Sequence, residues 1–202
     1  KSMYYPHLSP SLSPSFYDIN NDKKPLKKNK KHTIYKGEWK DGKKHGYGQL
    51  ILPNGAIYEG EFINNKKQGQ GTYWKIIKKK LTKIYSGCWN NNEKHGLGLL
   101  YYINGDRYEG MFENNVRHGH GTHFYHDGDV YTGYWYKNKR CGFGTLTSKN
   151  NDVYEGEWVN DYKEGAGIHY FKEKEKIYEG EWVHNQAKCG IYYNANEYFQ
   201  NQ

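Results

Sequence analysis

The sequence has no run of about 18 apolar residues, the length a membrane-spanning helix needs, and residues 1–30 lack the short apolar stretch of a signal peptide. Cysteine is scarce. Cys88, Cys141 and Cys189 are odd in number, far apart and without a C-x-x-C spacing, which fits neither a disulfide framework nor a zinc site. Reduced thiols and a cytoplasmic location are the expectation. Leu, Ile and Val are also few: hydrophobic residues make up 35% of the chain and aromatics alone 17%. A conventional two-layer core is hard to build from this, so aromatic rings must supply most of the buried surface. The 24 Gly argue against helices, since each costs about 1 kcal/mol relative to Ala in a helix interior. At 202 residues the length suits one domain or one repeat array. The chain opens on Lys1 and not on Met, so an upstream segment is expected.

The net charge of +8 is local. Residues 1–34 hold seven Lys against two Asp, and residues 35–202 hold 23 basic against 20 acidic residues. Within the second part, the stretch Lys75–Lys83 carries five Lys: Lys75, Lys78, Lys79, Lys80 and Lys83. Basicity therefore belongs to a tail and one loop, not to the fold.

What the chain does have is a period. Tyr35, Tyr58, Tyr85, Tyr108, Tyr131, Tyr154 and Tyr178 each open a Y-x-G-x-[WF] unit, closed by Trp39, Phe62, Trp89, Phe112, Trp135, Trp158 and Trp182. A G-x-G pair follows in the first six, from Gly46/Gly48 to Gly165/Gly167. The alternation predicts a strand with one buried face. A polar turn such as Asp41-Gly42 leads into a second strand, and Asn54-Gly55, Asn104-Gly105 and Asp127-Gly128 close units. The fold expected is all-β: an elongated, single-layer antiparallel sheet of about seven tandem hairpins over residues 33–202. Fourteen strands at ~4.8 Å would extend roughly 65 Å. A flat aromatic ring needs a neighbour without a side chain, which explains the glycines.

Units such as Ile57-Tyr58-Glu59-Gly60-Glu61-Phe62 and Val153-Tyr154-Glu155-Gly156-Glu157-Trp158 resemble the MORN repeat (membrane occupation and recognition nexus). The resemblance covers roughly residues 33–193 and implies a twisted sheet with a groove along one face. In length and in the Ala187-Lys188-Cys189-Gly190 ending the chain is most similar to short MORN-only proteins of the animal testis and sperm type, which implies a cytoskeletal or axonemal setting and a flagellar association. Two departures stand out. The second repeat carries four extra residues around Lys75–Lys83, expected as a longer hairpin tip. In the seventh, Cys189 takes the first Gly position and Gly190 comes one step late, so the glycine roles are expected to lapse there, in a distorted cap or a homodimer contact.

Chemistry is not indicated. The G-x-G pairs never extend to a phosphate loop. His118, His120, His123 and His126 lack the partners for a tetrahedral metal site, and His45, His95 and His118 share one repeat position. Neither an enzyme nor a cofactor is expected. Glu59, Glu61, Glu109, Glu155 and Glu157 form a ladder that reads as a solvated face or as an acidic docking stripe. Lys75, Lys78, Lys79, Lys80 and Lys83 read as a solvated tip or as a weak anionic-lipid contact, at about 1 kcal/mol per Lys near a membrane. Nucleic acid is not expected as a partner, since the aromatics sit in buried slots and are not free to stack on bases. The expected function is a scaffold that binds one or more proteins, with the central repeats, Tyr85, Trp89, Tyr108, Phe112, Tyr131 and Trp135, as the contact region. The alternative is a phosphoinositide-binding membrane adaptor acting through the Lys clusters.

Residues 1–32 form a Ser-Pro and Lys-rich tail that also carries Tyr4, Tyr5, Leu8, Leu12, Phe16 and Tyr17. These apolar residues suggest docking on the sheet of the same or a partner subunit. Deleting residues 1–32 is then expected to lower the melting temperature or change the oligomer size; no change in either measurement rules docking out.

Overall fold

The computed structural model describes residues 32–200. The tail expected over residues 1–32 lies outside the described residues except for His32. Fourteen strands follow one another: β1 (Ile34–Lys40), β2 (Lys43–Ile51), β3 (Ile57–Ile63), β4 (Lys66–Ile77), β5 (Lys80–Asn90), β6 (Glu93–Tyr101) and β7 (Arg107–Glu113). Then come β8 (Val116–Phe124), β9 (Val130–Tyr136), β10 (Lys139–Thr147), β11 (Val153–Val159), β12 (Tyr162–Phe171), β13 (Lys176–Val183) and β14 (Gln186–Asn194), closed by a short helix α1 (Ala195–Gln200). Each strand pairs antiparallel with the next, in one open sheet. The all-β array of tandem hairpins expected from the period is the fold observed; the short helix was not expected.

Glycine sets the register. Gly37 pairs with Gly48, Gly48 with Gly60, and the row runs unbroken to Gly180 and Gly190, one glycine in every strand. The repeat tyrosine lies across this row. A methyl group on Gly121 would come within 2.6 Å of Tyr108 Cζ. Each hydroxyl then donates to the carbonyl three residues on, from Tyr35 to Glu38 at 2.9 Å through to Tyr178 to Glu181 at 3.3 Å. That carbonyl belongs to the residue skipped by a bulge, as between Gly37 and Trp39. The first glycine of each G-x-G pair serves a different need: Gly46 at φ 60° and its counterparts turn the bulged strand in the left-handed region.

The rings interlock along the array. Tyr35, Tyr58, Tyr85, Tyr108, Tyr131 and Tyr154 each meet the next repeat's Phe or Trp edge-on at 5.1–5.4 Å. Trp89, Trp135, Trp158 and Trp182 also donate Nε1–H to the carbonyls of Gly71, Gly121, Gly144 and Gly167 in the preceding repeat. Among the described residues no strand pairs with the free side of β1, and Trp39 is 59% exposed.

Two rows of side-chain caps tie the repeats at their rims. Hairpin turns place two residues at positive φ, the geometry of type I′ turns. The second of each pair, Asn65, Asn92, Asn115, Asn138, Asp161 or Asn185, accepts from the backbone N–H of Lys44, Lys67, Lys94, Arg117, Arg140 or Lys163 one repeat earlier, at 2.8–3.0 Å. Its own N–H returns a bond to the same residue's carbonyl. On the other rim, Asp106, Asp129 and Asp152 accept from the N–H of His126, Lys149 and Lys172. Gly42 occupies the equivalent turn position in the first repeat and has no side chain to offer.

The two sequence departures resolve differently. The extra residues of the second repeat extend β4 and β5 to a two-residue turn at Lys78-Lys79, as expected. The expectation that glycine roles lapse in the last unit is corrected: its bulge is one residue shorter, so Gly190 still meets Gly180 and sits against the Tyr178 ring. Ala187 there pairs with Trp182 where earlier repeats have Lys or Arg. Over the same end, α1 sets Tyr198 against Tyr193 and Phe199 against Tyr170.

Gly121→Ala is expected to destabilise the array by roughly 1–3 kcal/mol through overpacking. Asn138→Ala, which removes one inter-repeat bond, is expected to cost about 1 kcal/mol. Urea unfolding monitored by tryptophan fluorescence measures both.

Candidate functional site

The sheet has two unlike faces. On the core face, the repeat Tyr, Gly and Trp or Phe point inward to the ring ladder. The residues between them, such as Glu59 and Glu61, point to the opposite face.

The six aromatics expected as protein contacts, Tyr85, Trp89, Tyr108, Phe112, Tyr131 and Trp135, all lie in the ladder, and none is more than 6% exposed. They hold the fold, and a partner on this face meets what covers them. That cover is a row of cations, one in each of the first six repeats, nine residues after the repeat tyrosine. Lys67 Nζ lies 4.6–4.9 Å from the ring centroids of Tyr58, Tyr73 and Trp89. Lys94 covers Tyr85 and Phe112, Arg117 covers Tyr108 and Trp135, Arg140 covers Tyr131 and Trp158, and Lys163 covers Tyr154 and Trp182. Burial pushes the Lys67 ammonium down to about 8, and burial with the nearby Arg140 does the same to Lys163. Burial, aided by Lys75, also lowers Lys94. This row was missed in the sequence, although its spacing was legible there.

Beyond the middle of the array, carboxylates answer these cations. Arg140 Nε lies 3.2 Å from Asp161 Oδ1. Arg117 donates Nη1–H to His123 Nδ1 at 2.9 Å, so the His123 proton sits on Nε2 and points to Asp106 Oδ2 at 3.3 Å. Burial depresses His123 despite Asp106. Burial would raise Asp106 itself, but hydrogen bonds from the His126 backbone and from neighbouring side chains hold its carboxyl well below the usual range. The four histidines weighed as metal ligands do not form one cluster: His123 and His126 share the Asp106 carboxylate, while His118 meets Glu113 and His120 meets the Tyr134 ring edge-on. Among the described residues no group of three or more ligating side chains could hold a metal.

The acidic ladder lies on the opposite face, where part of it is used by the backbone. Glu61 Oε1 accepts from the Gln70 N–H at 2.7 Å, as Glu38 does from Tyr47, capping the bulge. Glu157 packs beside Gly165 at the equivalent place. Glu59 accepts from Tyr47 and Gln49, Glu109 pairs with Arg107, and Glu155 is exposed.

In the three central repeats the bulge-capping Glu is replaced by Cys88, Met111 and Tyr134. With Leu97, His120 and Phe143 from the intervening strands they make an apolar row across β5 to β10, bounded by Gln70 on β4 and Glu157 on β11. Leu97, Met111, Tyr134 and Phe143 are 39–54% exposed. A cavity of ≈ 210 Å³ beside Met111 is lined by His95, Phe112, Glu113 and His118. Of the lysines expected at a lipid surface, Lys75, Lys78, Lys79 and Lys80 are exposed at or near the long hairpin tip, and Lys83 is half-buried.

A family model described as MORN repeat matches residues 35–57, 58–75, 85–107, 108–130, 131–153, 154–173 and 178–187. No curated protein matches the sequence. Among solved structures, the chain is similar to the TCP domain of SAS-4 (dCPAP) of Drosophila melanogaster, in complex with a proline-rich motif of Ana2 (dSTIL). Identity is 10%, coverage is 86% of this chain and 99% of that chain, and the TM-score is 0.41.

The core face carries a pH dependence through His169, which packs against Phe171 and Trp182. Burial, reinforced by Lys163, lowers it from 6.5 to about 4. A depressed histidine favours the neutral ring in the fold, so its contribution is complete above the unfolded value and is lost as pH falls from about 6.5 towards 4. The same repeat position holds Leu50, Leu100 and Leu146. His169→Leu is therefore expected to fold and to flatten the fall in urea midpoint between those pH values, measured against the parent.

Proposed function

The chain belongs to the MORN-repeat family, and from that premise we propose that it is a non-catalytic scaffold that holds protein partners on the faces of its sheet. The observation that carries this reading is the apolar row Leu97, Met111, Tyr134 and Phe143. A solvated sheet face has no need of four large apolar side chains in line, and earlier and later repeats place Glu in the slots held here by Met111 and Tyr134. The flanking Glu59, Glu61, Glu155 and Glu157 fit a polar rim around an apolar centre. The setting we propose is a cytoplasmic cytoskeletal or axonemal assembly; free Cys88, Cys141 and Cys189 fit a reducing compartment. Exposed Ile191 and Tyr192 on the edge strand β14 support a homodimer through that end. The second reading, a membrane adaptor, is favoured by the exposed Lys78, Lys79 and Lys80 at the hairpin tip.

A tagged full-length chain is expected to retain one or two stoichiometric proteins from native lysate through a high-salt wash. Leu97→Glu with Phe143→Glu should release them without lowering the melting temperature by more than a few degrees. Acidic phospholipid retained only at low salt, with no stoichiometric protein, would establish the adaptor in place of the scaffold.

A further inference from the structure

The core face of β1–β6 is unlike the rest of the array. It carries Lys44, Lys67, Lys75 and Lys94, each with its Nζ over an aromatic ring. No carboxylate lies within 4 Å of any of these ammonium groups among the described residues. The Glu side chains of the same six strands, Glu38, Glu59, Glu61 and Glu93, belong to the opposite face, as strand alternation and the pairing register require. On the rim, Ala56 stands where later repeats place Asp106, Asp129 and Asp152. The later cations have acidic neighbours; these four have none.

Their spacing is regular. Lys44 lies in β2, Lys67 in β4 and Lys94 in β6, so successive cations are two strands apart, or about 9.6 Å at ~4.8 Å per strand. A chain in the polyproline II conformation rises about 3.1 Å per residue with three residues per turn, so every third side chain returns to the same face about 9.3 Å further on. From this match we propose that the core face of β1–β6 binds an acidic segment of a partner protein in the polyproline II conformation, running across the strands and setting a carboxylate at every third residue over Lys44, Lys67 and Lys94. Lys75 strengthens the field beside Lys94, as its influence on the Lys94 ammonium shows. Half-buried Tyr35 and Tyr73 give the segment's intervening residues apolar ground. Lys44, Lys67 and Lys94 are half-buried in a line between rings, which suits a narrow chain better than a flat bilayer; the exposed lysines of the Lys78–Lys80 tip are the ones a bilayer would reach. This surface is distinct from the apolar row on the other face, so the two can fail separately.

The test uses the full chain and fluorescent peptides of roughly nine residues, enough for three carboxylates at every third position. One carries Glu at every third position among Ser and Ala. A second has the same composition with its Glu bunched at one end. The spaced peptide is expected to bind at least about ten-fold more tightly, as several half-buried ion pairs would give. Lys67→Gln with Lys94→Gln should remove the preference, and Lys78→Gln with Lys79→Gln and Lys80→Gln should leave it intact. Melting curves accompany each variant; because the comparison of the two peptides needs only the parent protein, a poorly folded variant does not blunt it. Equal binding of both peptides, or no binding, overturns the proposal. So does binding of phosphatidylserine vesicles that Lys67→Gln with Lys94→Gln abolishes while neither peptide binds.

Discussion

The fold depends on a tyrosine ring lying flat across paired glycines. That contact brings the strands' backbones under the ring, where any Cβ would intrude. It also places a hydroxyl deep in the structure, where an unmet donor would be costly. The bulge answers this by leaving one carbonyl without a cross-strand partner, at the point the hydroxyl reaches. Bulge, glycine and tyrosine thus form a single device, repeated seven times. Everything else follows from it. The ring can lie flat only where glycine sets the register, and the register lines up each Trp or Phe to meet the tyrosine of the preceding repeat.

A single-layer sheet normally has no second layer to shield its apolar face. Here long cationic side chains do so, their stems lying along the rings and their charges drawn to the ring faces. The cost is partial desolvation, felt most at Lys67 and Lys163. The opposite face uses carboxylates to cap bulges. The result is a sheet whose core face is covered by cations and whose opposite face carries the bulge-capping glutamates. Its stability is spread over nearest-neighbour contacts, as in other linear arrays. Function can then be written into individual repeats by exchanging outward residues, as Met111 and Tyr134 exchange with Glu.

Much of this was legible in the residues alone. The period of the Y-x-G-x-[WF] unit exposed the hairpins, and alternation separated the two faces. The long tip at Lys78-Lys79 followed from a spacing of 27 in place of 23. Other features were hidden because their partners are a repeat apart. The Asn65 and Asn138 caps look like ordinary turn residues until the preceding hairpin is alongside. Gly190 looked misplaced because counting along the chain cannot show a bulge that has lost one residue. The candidate contact residues suffered most: Tyr108 and Trp135 repeat too faithfully to be free, and departures from the repeat, such as Met111 for Glu, mark the surface better than its invariants.

The turn at Gly42 and the strand position at Ala187 have a consequence for the length of the object. Inside the array every junction is closed by an amide or carboxylate from one hairpin and covered by a cation from the other. At its first turn the acceptor is absent, and at its last strand the cation is absent. Two arrays laid end to end would meet at a seam with neither. Head-to-tail addition of a second array at these two described ends is therefore disfavoured, while each interior junction repeats at an interval of about 10 Å.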